Sequence, residues 1–168
     1  MRLFSGVIAT LLAAGLLSVL GWGLAHTAKP PALHVGAAAP DLTVELLDGG
    51  STHLAALRGE PLVVNFWATW CADCRRESAA LREAAQTSPN VRFLGVLYQD
   101  TAGAARSYQA GADAYPYAIG WSDGAGSVFG VQANPETFFI DAGGVVRAIA
   151  IGPMTQEQLA LDLRKAAS

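Results

Sequence analysis

The chain has 168 residues, 52% of them hydrophobic and 15% charged, which is enough for one domain with a substantial core once an N-terminal segment is set aside. Its formal net charge is −3 and no Lys/Arg cluster is longer than the Arg75-Arg76 pair, which argues against a nucleic-acid surface and leaves proteins or small thiols as partners.

Arg2 precedes Leu3 to Ala25, an uncharged stretch about as long as a bilayer's hydrocarbon core requires. A buried core helix would need a polar face, and nothing from Gly6 to Gly23 supplies one. The run exceeds the apolar centre of an ordinary signal peptide, so a retained anchor is preferred to a cleaved signal. Arg2 puts the short N-terminal side in the cytoplasm and the rest outside. Residues 1–28 therefore read as a membrane anchor or signal segment and residues 29–39 as a Pro/Ala/Gly-rich linker, with the domain at 40–168.

Within the domain, Leu42 to Leu47 and Ser51 to Leu54 flank Asp48-Gly49-Gly50 and predict a hairpin, followed by a turn over Ala55 to Gly59. Leu62 to Trp67 reads as a buried strand, Ala72 to Gln86 as a helix and Val91 to Tyr98 as a second strand, a βαβ unit. A helix over Thr101 to Gly111, a strand over Tyr117 to Trp121 and a short helix or turn over Ser127 to Val131 come next. Thr137 to Ile140 and Val145 to Ile151 flank the turn Asp141-Ala142-Gly143-Gly144, and Thr155 is a suitable N-cap for a last helix ending near Ala167.

The only two cysteines stand in Trp70-Cys71-Ala72-Asp73-Cys74, at the strand-to-helix junction. A helix N-terminus favours anions, so Cys71 reads as the nucleophilic thiolate; Cys74, one turn on, reads as the resolving thiol. A structural disulfide is an alternative, although so short a loop gains the least chain entropy. Structural zinc lacks a second cysteine pair. Copper(I) would need a histidine, and of His26, His34 and His53 only His53 is placed to contribute.

The order of elements, with Phe66-Trp67-Ala68-Thr69-Trp70-Cys71 at the first junction and Asn134-Pro135-Glu136-Thr137-Phe138 opening a late strand, resembles the thioredoxin superfamily. Tyr115-Pro116-Tyr117-Ala118, Asp123-Gly124 before Gly130-Val131, and Pro135 to Asp141 look like its membrane-tethered TlpA, ResA and CcmG (DsbE) branch. That resemblance spans about Ala38 to Ala166 and implies an α/β thioredoxin-like fold, a central mixed sheet flanked by helices with an N-terminal β-hairpin, behind a transmembrane segment.

The resemblance also implies that Pro135 is cis and, with Asn134, faces a bound substrate strand; without it, a trans proline opening an edge strand is the plain reading. Glu77 matches the acidic residue that the family keeps near its dithiol, where it could move a proton to or from Cys74; a solvated helix-face carboxylate competes with that role. Glu136 matches an acidic groove residue, with an exposed strand-end charge as its alternative, and Trp70 frames the groove while Trp67 belongs to the core. Three positions depart from the pattern. Asp73 replaces a common proline and disfavours the thiolate, which suits a reductase, with Arg75 and Arg76 as possible offsets. Asn65 stands where cytosolic thioredoxins have a buried Asp, and Asn134 replaces a small or apolar residue.

The implied activity is an extracytoplasmic thiol:disulfide oxidoreductase at the inner membrane that reduces the Cys-x-x-Cys-His disulfide of apocytochrome c. Its electrons would come from a CcdA- or DsbD-like membrane donor, with the Cys71–Cys74 pair itself as redox group and no further cofactor or metal. A general reductase or oxidant of exported proteins uses the same parts, and a non-catalytic apocytochrome- or copper-binding module is a third reading. A thiol peroxidase needs Thr three residues before its reactive cysteine, where this chain has Ala68.

Overall fold

A computed structural model describes residues 12–22 and 33–168, and the chain divides between Pro30 and Pro31 into two units. In the first, residues 12–22 are helical and expose Leu12, Leu16, Leu17, Val19 and Leu20. Among the described residues no helix is long and apolar enough to cross a membrane; the predicted span Leu3 to Ala25 runs beyond them at both ends, and Arg2, His26 and residues 29–32 also lie outside.

The second unit is built on one seven-stranded mixed sheet. Its elements in chain order are β1 (Thr43–Leu46), β2 (Ser51–His53), a 3-10 turn (Leu54–Leu57), β3 (Leu62–Trp67), α1 (Ala72–Thr87), β4 (Arg92–Leu97), α2 (Ala102–Gln109), β5 (Ala118–Trp121), α3 (Ala125–Phe129), β6 (Glu136–Ile140), β7 (Val146–Ile151) and α4 (Gln156–Ala166). The strand order is β2-β1-β5-β4-β3-β6-β7, with β3, β4 and β5 parallel to one another and every other neighbouring pair antiparallel. The thioredoxin-like α/β fold and the N-terminal hairpin expected from the sequence are both present.

Every residue of β3 and β6 is buried, which explains why neither strand alternates polar with apolar residues. The period of two divides them between two cores. Val63, Trp67 and Phe139 pack with Leu81 of α1 and Leu159 of α4 on one face, while Leu62, Val64, Phe66, Phe138 and Ile140 pack with Phe129 of α3 on the other. Trp67 is core, its ring 5.0 Å from that of Tyr115 and 5.1 Å from that of Tyr108.

Residues 36–39, read from sequence as spacer, are bonded to the sheet. Gly36 N–H donates to the Val146 carbonyl at 2.8 Å, Val146 N–H to Ala37 at 2.9 Å and Ala39 N–H to Gly144 at 2.8 Å. Small side chains let this segment lie flat on the start of β7, so pairing occurs here without any alternating pattern.

Candidate active site

Strand β3 ends where Tyr98 N–H, just past β4, bonds to the Trp67 carbonyl at 3.0 Å. The chain then bends so that Cys71 N–H donates back to Ala68 at 3.2 Å, and Cys71 becomes the N-cap of α1. Its Sγ accepts the Cys74 N–H at 3.0 Å and is joined to Cys74 as a disulfide, with Cα atoms 5.3 Å apart. The sulfur that a helix N-terminus would stabilise as thiolate is therefore the one at the cap position. Cys71 is 4% and Cys74 1% exposed, beside Trp70 at 59%. Access is thus greater from the Cys71 side. The Asp73 carboxylate pairs with Arg76 on the surface, while Arg75 is occupied by the Thr69 carbonyl at 2.7 Å; of the two predicted offsets, only Arg76 meets Asp73.

One turn after Cys74, Glu77 is 2% exposed, and the solvated helix-face alternative is overturned. Asn65 Nδ2 donates to Glu77 Oε1 at 3.1 Å, and Met154 N–H donates to Oε2 at 3.1 Å. Burial pushes this carboxyl from 4.5 up to about 7, against the pull of the Met154 and Asn65 bonds and with a smaller push from the Asp73 charge. Asn65 also donates to Thr137 Oγ1 at 2.9 Å, joining β3, α1 and β6 through buried polar groups. A carboxyl poised near neutrality one turn from a dithiol can accept or return a proton there.

On the opposite side, the Asn134–Pro135 peptide is cis. Antiparallel pairing of Phe66 with Glu136 brings Pro135 alongside the end of β3, at the same end of the sheet as the dithiol. The Pro135 carbonyl accepts Gly152 N–H at 2.9 Å, and Asn134 Nδ2 donates to the Tyr98 carbonyl at 3.0 Å. Glu136 is buried and shares the Phe66 side of the sheet, where it accepts Gln132 N–H at 2.8 Å. It is not an exposed charge: its carboxylate accepts a backbone N–H of the loop before Pro135 and so braces that loop.

Sequence reasoning missed Asp100 and Gln99. Asp100 accepts the Thr69 N–H at 2.6 Å and the Thr69 hydroxyl at 2.7 Å, and the Gln99 carbonyl accepts Trp70 Nε1 at 3.1 Å. The only local signal was Asp-Thr ahead of α2, which reads as helix capping. His53 bonds Thr43 within the hairpin, with Nδ1 and Oγ1 3.0 Å apart. Among the described residues no group of three or more His, Cys, Asp or Glu could hold a metal ion.

Residues 35–149 match the AhpC/TSA family. The thiol:disulfide interchange protein DsbE of Pseudomonas fluorescens biotype C is 37% identical over 129 residues, covering 74% of this chain and 71% of that protein. The thiol-disulfide oxidoreductase ResA of Geobacillus thermodenitrificans is 30% identical over 158 residues, covering 91% of each. Among solved structures, MTB dsbF superposes with a TM-score of 0.69 at 29% identity, over 74% of this chain and 94% of that one. The oxidised Cys-x-x-Cys pair on this fold and these relatives agree: the chain belongs to the AhpC/TSA family and is a thiol:disulfide oxidoreductase of the DsbE and ResA type.

Proposed function

We propose that the protein is a reductase held at the inner membrane by residues 3–25, with its domain on the extracytoplasmic side, acting on the Cys-x-x-Cys-His disulfide of apocytochrome c before haem attachment. The observation that carries the reading is the Cys71–Cys74 pair at the N-terminus of α1, with the buried carboxyl of Glu77 one turn further along the same helix. Kinship with a thiol:disulfide interchange protein and a thiol-disulfide oxidoreductase supports the exchange chemistry, and the resemblance to the cytochrome c maturation branch implies the reductive direction and the substrate class.

In the reduced protein the Cys71 thiolate attacks one sulfur of the substrate disulfide. That S–S bond breaks, a mixed disulfide forms and the departing sulfur takes a proton. Cys74 then gives up its proton, with Glu77 as the acceptor, and attacks Cys71 Sγ; the second substrate thiolate leaves and is protonated. Two electrons pass to the substrate, whose two thiolates take up one proton released by Cys74 and one from water, and the Cys71–Cys74 disulfide remains. A membrane dithiol donor of the CcdA or DsbD kind returns the two electrons. Trp70, Asn134 and Pro135 are the residues that would line the substrate strand.

Expressing Cys74→Ala in the native membrane and identifying the proteins held on Cys71 tests this directly. Apocytochromes c captured through their haem-attachment cysteines are the expected result. A broad set of exported proteins would replace the proposal with general disulfide exchange, and no captured protein would replace it with a binding module.

A further inference from the structure

The segment after β4 grips both rims of the dithiol groove. Asp100 Oδ2 accepts the Thr69 N–H at 2.6 Å and the Thr69 hydroxyl at 2.7 Å, while its Oδ1 accepts Thr101 N–H at 2.7 Å. The Gln99 carbonyl accepts Trp70 Nε1 at 3.1 Å, and the Tyr98 carbonyl accepts Asn134 Nδ2 at 3.0 Å. From the other side Arg75 donates to the Thr69 carbonyl at 2.7 Å. Gln99 holds φ at 57°, and among the described residues it is the one non-glycine at positive φ. A side-chain-bearing residue is kept there only when its surroundings over-determine it, and such positions gather at functional sites.

Trp70 is 59% exposed and adjoins Cys71, yet its indole N–H and the backbone of its neighbour Thr69 are both fixed by this one segment. An exposed aromatic held still binds a partner without the entropic cost of ordering it. Asn134, next to the cis proline, is held by the Tyr98 carbonyl of the same segment. We propose that Tyr98-Gln99-Asp100 is a positioning unit that sets the spacing of Trp70 and Asn134, and thereby selects disulfides within an extended polypeptide over small free disulfides. A polypeptide reaches both rims, whereas a small disulfide touches only the sulfurs. The inference rests on the exchange chemistry and is independent of which exported protein is reduced.

The test uses pre-reduced full-length protein in single turnovers with two probes. One is oxidised glutathione; the other is a peptide closed by one Cys-x-x-Cys disulfide. Asp100→Ala and Thr69→Val are expected to raise the half-saturating peptide concentration about 10-fold, with the maximal rate within about two-fold. The peptide-to-glutathione ratio of rate constants falls by the same factor, and Thr69→Ser, which keeps the hydroxyl, restores it. The indole N–H signal of Trp70, assigned by its loss in Trp70→Phe, should exchange faster with solvent in Asp100→Ala. An unchanged ratio in a folded Asp100→Ala overturns the proposal, as does a wild-type protein without preference for the peptide. Should Asp100→Ala fail to fold, the Thr69→Val and Thr69→Ser pair decides.

Discussion

At the Glu77 carboxyl, protonation and folding are linked. Its pKa rises from 4.5 to about 7 on folding, chiefly through burial, so the folded state holds a proton that the unfolded chain releases between those values. Stability therefore falls as pH rises through that window and levels off above it, by about 2 kcal/mol between pH 5 and 8. Asp100 and Asp141 do not confuse the measurement. Burial raises both, but hydrogen bonds to Asp100 from Thr69 and Thr101, and to Asp141 from Val145 and Arg147, hold them below 3.8, so their stabilisation is lost only at lower pH. Glu77→Gln cannot titrate and should flatten the slope of unfolding free energy between pH 5 and 8 in denaturant titrations of the oxidised protein. A slope as steep as the wild type's would place the titrating group elsewhere. Two-residue spacing and a helix start made Cys71 and Cys74 legible in sequence, and one further turn pointed to Glu77. The burial of Glu136 was not legible, because its partner Gln132 is a backbone group in an irregular loop. Asp100 was hidden for a similar reason: its bonds to Thr69 cross 31 residues and no local pattern announces them.

The first hairpin depends on one close approach between strands. Gly120 of β5 pairs with Leu46 of β1 on one side and Val96 of β4 on the other, and a Cβ there would run into the Glu45 carbonyl and the Val44 side chain. A backbone carbonyl cannot turn aside as a flexible side-chain end can. Gly120→Ala should thus cost about 2 kcal/mol, as overpacking does in a fitted core, and its effect should centre on β1. Denaturant unfolding reads the cost and amide exchange reads the place; a change below about 0.5 kcal/mol, or faster exchange spread evenly over the sheet, would refute the contact. Among the elements, those with caps were the legible ones. Thr101 and Thr155 accept the N–H groups of Ala104 and Gln158, and α2 and α4 begin after them. Helix α3 begins two residues before the predicted Ser127, because Gly124 at φ 77° and Gly130 at φ 69° take its two end positions. The pairing of residues 36–39 with β7 left no trace in composition, since Ala and Gly carry no periodic signal.

Across the whole molecule, both core clusters draw their described residues from Leu33 onward. Residues 1–30 include Leu3 to Ala25, the stretch that the proposed function places in the membrane. A tether changes the rate at which two membrane-bound partners meet without altering either site, because it replaces bulk concentration with an effective concentration that reaches the millimolar range for short linkers. Removal of residues 1–30 should accordingly leave the thermal midpoint and the single-turnover rate with a soluble peptide disulfide unchanged, while the protein moves from the membrane to the soluble fraction. In sealed vesicles holding the electron donor, re-reduction of Cys71–Cys74 by the truncated domain should slow by at least about 10-fold, and adding more of the soluble domain should restore the rate. A lower thermal midpoint would mean that residues 1–30 support the fold. Unimpaired re-reduction would mean that the donor finds the domain through its own surface, so that membrane attachment adds nothing to the encounter.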